Sequence, residues 1–459
     1  MTNMGKDRFQ RVNDVNIKNL LAIFCHKDQM YMHGKYTVSS GSNLVDFIHR
    51  PKYIFGMKRL QAFKFELKLT GCQKRLLYRF AGSSRFVYNK ALALQKERYE
   101  QGEKKLSYAG LCKQLTAWRH APEMAWLKEV HSQVLQQSLK DLERAYRNFF
   151  AKRADFPRRK RRRAKDAFRF PQGCQLDQTN SRIFLPKLGW LRYRNSRQVE
   201  GKISNVTASR SGEKWYVSIQ TEREVEIPLH PSSSAIGVDV GIAQLATLSD
   251  GTVFESVNSF KCHQKRLATL QRRVSKKKKF SQNWKKALQA VNRLHSKIKH
   301  IRQNYLHQTT HAISKNHAMV CIEDLQIKHM SKSAAGTQRV PGKNVKAKSG
   351  LNKAILDQGW FEFRRQLEYK QQWRGGVVVV VAAKNTSRTC PPCGYVSGEN
   401  RPTQSQFVCM KCGYENHADM VGAINILRAG HARLACGEEV QLGRSRKQEP
   451  TEVIQALVA

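Results

Sequence analysis

Ala235-Ile-Gly-Val-Asp-Val-Gly241 is the stretch whose reading decides the fold of this chain. A short apolar run set off by a Ser-rich segment and closed by glycine reads as a buried strand. Asp239 sits inside it. A carboxylate in such a strand is costly unless donors, opposite charge or a metal compensate it. Outward from there, 244–249 reads as a second strand, and Asp250-Gly251 turns it into a third. A long basic helix follows, with Trp284, Leu288, Val291, Leu294, Ile298, Ile301 and Tyr305 on one stripe, the pattern of a packing face. The next strand, 318–322, runs into Glu323 and Asp324. Residues 331–350 are rich in Gly, Ser and Lys and are expected to be mobile. One amphipathic helix is expected over 352–373 and an apolar strand over 377–383. A final helix near 418–428 opens with Asp419 and carries the small residues Gly422 and Ala423.

Each acid alone has a plain alternative. Gly-x-Asp-x-Gly is often a turn, Asp419 fits a helix cap, and Glu323 fits a solvent-facing strand end. Their order says more: a strand carboxylate, a hairpin, a strand-end carboxylate, then a helix carboxylate. That is the element order of an RNase H-like fold. Converging carboxylates can hold two Mg²⁺ ions about 3.5–4 Å apart and drive in-line attack on a phosphodiester.

Between the last two acids lie Cys390-Pro-Pro-Cys393-Gly394 and Cys409-Met-Lys-Cys412-Gly413. Two C-x-x-C knuckles match tetrahedral Zn²⁺, and four protein thiolates make the ion structural. A redox pair would be single and near a thioredoxin-like βαβ start. Cys25, Cys72, Cys112, Cys174, Cys262, Cys321 and Cys436 read as ordinary small apolar residues.

The 459 residues suggest roughly three domains. From Met57, Phe63, Phe65, Leu67 and Leu69 alternate with Lys64, Glu66 and Lys68, a half-buried strand. Residues 72–155 read as helical: Phe86, Lys90, Ala91 and Leu94 begin one helix, and Leu135, Leu139, Leu142, Tyr146 and Phe149 line another. A β-rich stretch spans 168–229, with a hairpin over 202–221 turning at Ser211-Gly212. Residues 1–56 are polar, weakly periodic and read as an extension or disordered arm.

Lys plus Arg number 82 against 35 Asp plus Glu, a formal charge of +47. An excess of that size points to a polyanion, nucleic acid first. With 40% hydrophobic residues, seven Trp and 20 Phe the chain is not wholly disordered. No apolar run approaches the roughly 18 residues a membrane span needs, and no signal-peptide core is visible. The cysteine pattern fits a reducing cytoplasm. Two tracts concentrate the charge. Arg158, Arg159, Lys160, Arg161, Arg162 and Arg163 form the first; Arg272, Arg273, Lys276, Lys277, Lys278 and Lys279 form the second. Such runs give salt-sensitive phosphate contacts; the plain alternative is a solvated face.

From Met57 onward the chain resembles the TnpB (OrfB) family of bacterial insertion sequences. The resemblance rests on Ile236-Gly-Val-Asp-Val-Gly-Ile242, Ile322-Glu-Asp-Leu325, Asn352-Lys-Ala-Ile355 and Gly359-Trp-Phe-Glu-Phe-Arg-Arg365. It rests also on Asn385-Thr-Ser-Arg-Thr-Cys-Pro-Pro-Cys-Gly394, Asn400-Arg401, Cys409-Met-Lys-Cys-Gly-Tyr414 and His417-Ala-Asp419. The tail block Lys447-Gln-Glu-Pro-Thr-Glu452 is similar too. The resemblance implies an RNA-guided DNA endonuclease, related to the ancestors of type V CRISPR effectors. Its guide RNA would come from the transposon end, and its double-stranded DNA target would lie beside a short motif. It also implies Mg²⁺ or Mn²⁺ at Asp239, Glu323 and Asp419, structural Zn²⁺ at the four cysteines, and a bacterial cytoplasmic, nucleoid-associated protein without a membrane partner.

The fold it implies is α+β and multidomain: a β-barrel wedge domain with an inserted helical lobe, then a RuvC/RNase H-like α/β nuclease domain with a zinc ribbon insertion. After the extension at 1–56, the wedge takes 57–71 and 156–232 and the recognition lobe 72–155. The nuclease takes 233–384 and 416–430, the ribbon 385–415, and a tail 431–459. The family's last motif commonly runs Asp-x-Asn-Ala-Ala-x-Asn; here it is Asp419-Met-Val-Gly-Ala-Ile-Asn425. All three acids are kept, which argues against the family's nuclease-dead repressors. The competing readings are a guide-independent transposase or recombinase and a non-catalytic nucleic-acid-binding regulator.

Overall fold

Strand β1 (Gly56–Lys68) buries Phe63, Phe65 and Leu67 and turns Lys64 and Lys68 outward, the period-2 pattern of a half-buried strand. A computed structural model of the chain describes residues 56–162 and 166–435. The readings made for 1–55, Arg163, and the tail from 436 on, with Cys25 and Cys436, lie outside the described residues. The chain divides into two compact units between Glu226 and Ile227.

In the first unit β1 is the central strand. It pairs antiparallel with β7 (Lys214–Glu226) on one side and β5 (Gly189–Tyr193) on the other. With β2 (Ala167–Phe170), β3 (Gln175–Asp177), β4 (Arg182–Leu185) and β6 (Lys202–Ser211) the order is β2-β6-β7-β1-β5-β4-β3, antiparallel throughout. Three helices intervene between β1 and β2: α1 (Gly71–Glu100), α2 (Tyr108–His120) and α3 (Ser132–Phe150), with a 3₁₀ segment Pro122–Glu129 after α2. Leu135, Leu139, Leu142 and Tyr146 of α3 share one core with sheet residues such as Phe65, Phe170 and Val217. Helix α1 starts well before Phe86. Thr70 Oγ1 accepts from the Gln73 amide and Gln73 Oε1 accepts from the Thr70 amide, a reciprocal cap that sets the start.

The second unit is built on a five-stranded sheet: β8 (Ala235–Asp239), β9 (Gln244–Leu248), β10 (Val253–Glu255), β11 (Met319–Glu323) and β12 (Val377–Val381). The order is β10-β9-β8-β11-β12. Strands β8, β11 and β12 run parallel, and β9 runs against both its neighbours. Helices α4 (Ser259–Ser275) and α5 (Gln282–Asn316) pack through Leu267 against Val291, Leu294 and Ile298, so the α5 stripe is a packing face.

Two expectations need correction here. The segment 331–350, expected to be mobile, already contains the start of α7 (Val345–Gln358) after the short α6 (Ile327–Met330). The single helix expected over 352–373 is two, α7 and α8 (Trp360–Arg374), because Gly359 takes left-handed backbone at φ +76°. Buried Asp357 of α7 accepts from Ser259 Oγ at 2.8 Å and from the Phe260 and Lys261 amides, which caps α4. The last helix, α9 (Ala418–Ala435), packs across β8 and extends beyond the expected 428. The hairpin β13 (Gln406–Val408) and β14 (Glu415–His417) precedes it.

Cys321 is buried as expected, but Cys72 and Cys262 are exposed, so packing does not account for them. Among the described residues no helix is long and apolar enough to cross a membrane.

Candidate active site and metal centre

Asp239 and Glu323 are the last residues of the adjacent parallel strands β8 and β11. The register pairs Val238 with Ile322, so the two acids stand side by side at one edge of the sheet. Asp419 occupies the first turn of α9, which crosses β8. All three are half-buried. Burial, then the charges of Glu323 and Asp419, push the Asp239 carboxyl up to about 7; Arg401 and the Val240 amide pull the other way. Burial also raises the Glu323 carboxyl, opposed by the Thr386 hydroxyl, which donates to Oε1 at 2.6 Å. Neighbouring Asp324 is engaged elsewhere, accepting from Arg364 Nη1 at 2.7 Å. The site is therefore an excess of negative charge in a strongly basic chain, and oxygen donors of this kind suit Mg²⁺ or Mn²⁺.

Helix α9 lies close against Asp239: a Cβ on Gly422 would stand 2.7 Å from Asp239 Oδ2. Val421, where the family commonly has Asn, packs with Cys390, Phe407, Cys409 and Ala418. That departure falls on the ribbon core, while the second, Gly422 in place of Ala, falls at the close approach to Asp239. Arg401 was not singled out for a role from sequence. Its Nη2 lies 3.6 Å from Asp419 Oδ1, the one guanidinium among the described residues paired with a member of the triad.

The four cysteines converge. Cys390 and Cys412 Sγ are 3.5 Å apart and Cys393 and Cys409 Sγ 3.6 Å, with all four sulfurs within 4.8 Å of one another. Tetrahedral zinc with bonds of about 2.3 Å sets its sulfurs about 3.8 Å apart, so the donor set fits Zn²⁺. Among the described residues this is the only group whose ligand atoms gather so tightly. Gly394 and Gly413 both adopt left-handed backbone, and each donates its amide to the first cysteine carbonyl of its knuckle. Buried Asn400 joins the knuckles: Nδ2 donates to the Arg388 and Tyr395 carbonyls, and Oδ1 accepts from the Met410 amide. Cys393→Ser is expected to lower zinc content and melting temperature together, read by elemental analysis and thermal unfolding. Zinc lost without any change in stability would contradict a folding role.

The basic tracts are unevenly available. Arg159, Arg161 and Arg162 are exposed, and exposed Arg158 pairs with Asp155. Lys160 is exposed too and has partners within its own unit. Its Nζ lies 4.1 Å from the Tyr88 ring centre and 3.5 Å from Asp141, and its backbone pairs with the Asn89 amide. Arg272 and Arg273 end α4, and Lys276, Lys277, Lys278 and Lys279 form the exposed connection to α5.

Three family models match the chain. Residues 218–334 match OrfB_IS605, described as "Probable transposase", and 360–426 match one described as "Cas12f1-like, TNB domain". Residues 57–104 match one described as "Helix-turn-helix domain", although the structure there holds β1 and one unbroken helix, α1. The chain is 62% identical over 400 residues to "Putative RNA-guided DNA endonuclease InsQ" of Escherichia coli K12, covering 87% of this chain and 100% of the relative. It is 35% identical to a "Putative RNA-guided DNA endonuclease" of Streptomyces pristinaespiralis, over 85% of this chain and 96% of that one. A solved Cas12f1–sgRNA–target DNA complex aligns over 81% of this chain and 98% of its own, at 11% identity and TM-score 0.47. This chain belongs to the OrfB (TnpB) family of insertion-sequence-encoded proteins.

Proposed function

We propose that this protein is an RNA-guided DNA endonuclease of a bacterial insertion sequence, cutting DNA phosphodiesters at Asp239, Glu323 and Asp419. What carries the reading is 62% identity along the whole of a relative so named. The sheet supports it: three parallel strands beside an antiparallel hairpin, ordered β10-β9-β8-β11-β12, is the arrangement we read as RNase H-like and RuvC-type. We read the first unit as a wedge at 57–71 and 156–232 with a helical recognition lobe at 72–155. The second unit is read as a nuclease at 233–384 and 416–430 around a zinc ribbon at 385–415.

Two divalent cations, Mg²⁺ or Mn²⁺, would supply activation of the attacking water and stabilisation of the leaving oxygen in an in-line displacement. The chain's own residues do the rest. Asp239, Glu323 and Asp419 would hold the cations, and beside Asp419 stands the positive charge of Arg401, whose Nε and Nη2 donate to the Gln404 carbonyl. The four cysteines hold a structural zinc. Arg159, Arg161, Arg162 and the lysines after α4 grip backbone phosphates of the guide RNA or its duplex, while base pairing reads the target. The partners are then a guide RNA from the transposon end and double-stranded DNA carrying a short motif beside the target, in a bacterial cytoplasm.

The description "Probable transposase" over 218–334 favours one other reading, strand transfer without a guide. Expressing the gene with its native flank and sequencing the RNA that co-purifies separates the two. Guidance predicts one discrete RNA ending just beyond the element. A smear of cellular RNA would favour the guide-free reading.

A further inference from the structure

We infer that Thr386 is a positioning residue for Glu323, and that the turn leading into the cysteine ribbon thereby sets the cation affinity of the carboxylate site. The inference rests on the reading of that site proposed above. Among the described residues the Thr386 hydroxyl makes the one hydrogen bond to the Glu323 carboxylate, at 2.6 Å on Oε1. Oε2 is left for a cation. A single donor orients a carboxylate only if the donor is itself held, and Thr386 is. Its carbonyl accepts from Asn425 Nδ2 at 2.8 Å, and the same nitrogen donates to the Thr389 carbonyl at 2.7 Å. Between those two points the Arg388 amide, the Thr389 amide and the Thr389 hydroxyl all converge on the Asn385 carbonyl. Asn385 takes the left-handed backbone that closes this turn.

Asn425 belongs to α9, the helix whose first turn carries Asp419, and Thr389 directly precedes Cys390. One buried amide thus links the helix carrying one acid to the turn holding another, next to the first zinc ligand. Groups that orient a ligating carboxylate typically change metal affinity 10–100-fold when removed.

The test is Mn²⁺ binding by titration calorimetry on the full-length protein with its co-purified RNA, comparing T386V, T386S and E323Q. Valine keeps the branched shape and removes the donor; serine keeps the donor. T386V is expected to weaken Mn²⁺ binding about 10–100-fold, with T386S within roughly 3-fold of the parent. Zinc content and melting temperature should stay unchanged in both. Parent-like affinity in T386V beside a large loss in E323Q would overturn the positioning role alone. Parent-like affinity in E323Q would overturn the site reading itself. If T386V also loses zinc or melts early, or if T386S is as weak as T386V, Thr386 has only a packing role and the inference is wrong.

Discussion

Asp239→Ala is expected to lower guided DNA cleavage by about a thousandfold or more while RNA binding stays within about twofold. Asp239 ends β8, the middle strand of the five-stranded sheet, and feels both other acids, so its loss leaves two carboxylates to hold the cations. Among the described residues of its own unit, the charged groups acting on it are Glu323, Asp419 and Arg401, none of them in the second basic tract. Single-turnover cleavage of a labelled duplex, with filter binding of the RNA alongside, reads both quantities. Retained cleavage would remove Asp239 from the site. Asp239→Asn adds a result of opposite sign. Burial and like charge make the ionised acid costly without a cation, so with zinc kept and no Mg²⁺ or Mn²⁺ added this variant is expected to melt a few degrees above the parent.

Gly237→Ala is expected to destabilise the second unit by about 3 kcal/mol or more, at the upper end of what overpacking costs. A Cβ there would stand 2.0 Å from the Ala423 carbonyl oxygen and 2.8 Å from the Leu427 amide nitrogen. Both are backbone atoms of α9, so no side-chain rotation relieves the clash and the helix must lift from β8. Asp419 would move with it, and Mn²⁺ affinity should fall in parallel with stability. Denaturant unfolding of the full chain reads the first effect. Gly350→Ala is the control: it lies in α7 with open space around the added methyl and is expected to stabilise by about 0.5–1 kcal/mol. Equal behaviour of the two variants would refute the close-approach argument.

Asp239 and the ribbon were legible because each breaks a rule that ordinary sequence obeys, whereas Glu323 and Asp419 stood out only by their order along the chain. Asp239 interrupts an apolar strand, and four cysteines share one spacing. Such anomalies carry a cost that has to be repaid locally, so they stand out without a structure. Thr386 and Asn425 break no rule. Threonine and asparagine occur in any polar loop or helix, and only the fold brings a hydroxyl to Glu323 and an amide to two carbonyls. The break at Gly359 was masked because apolar spacing continues through Ile355, Trp360 and Phe363, all buried against one core on both sides of the kink. Lys160 shows what a charge run leaves unsaid: the residue is exposed, and its ammonium also meets the Tyr88 ring and Asp141 within the first unit.

Helix α9 supplies Asp419 from a point in the chain that follows every strand of the five-stranded sheet. Translation therefore delivers Asp239 and Glu323 long before the third acid. A nascent chain paused after β12 has its sheet strands and both early carboxylates, but nothing opposite them to complete a cation cage. On the proposed site reading, cutting competence waits until synthesis has passed the whole sheet. On that reading, a frameshift between Val381 and Asp419 is expected to yield a protein that keeps its basic first unit and its sheet strands but does not cut DNA.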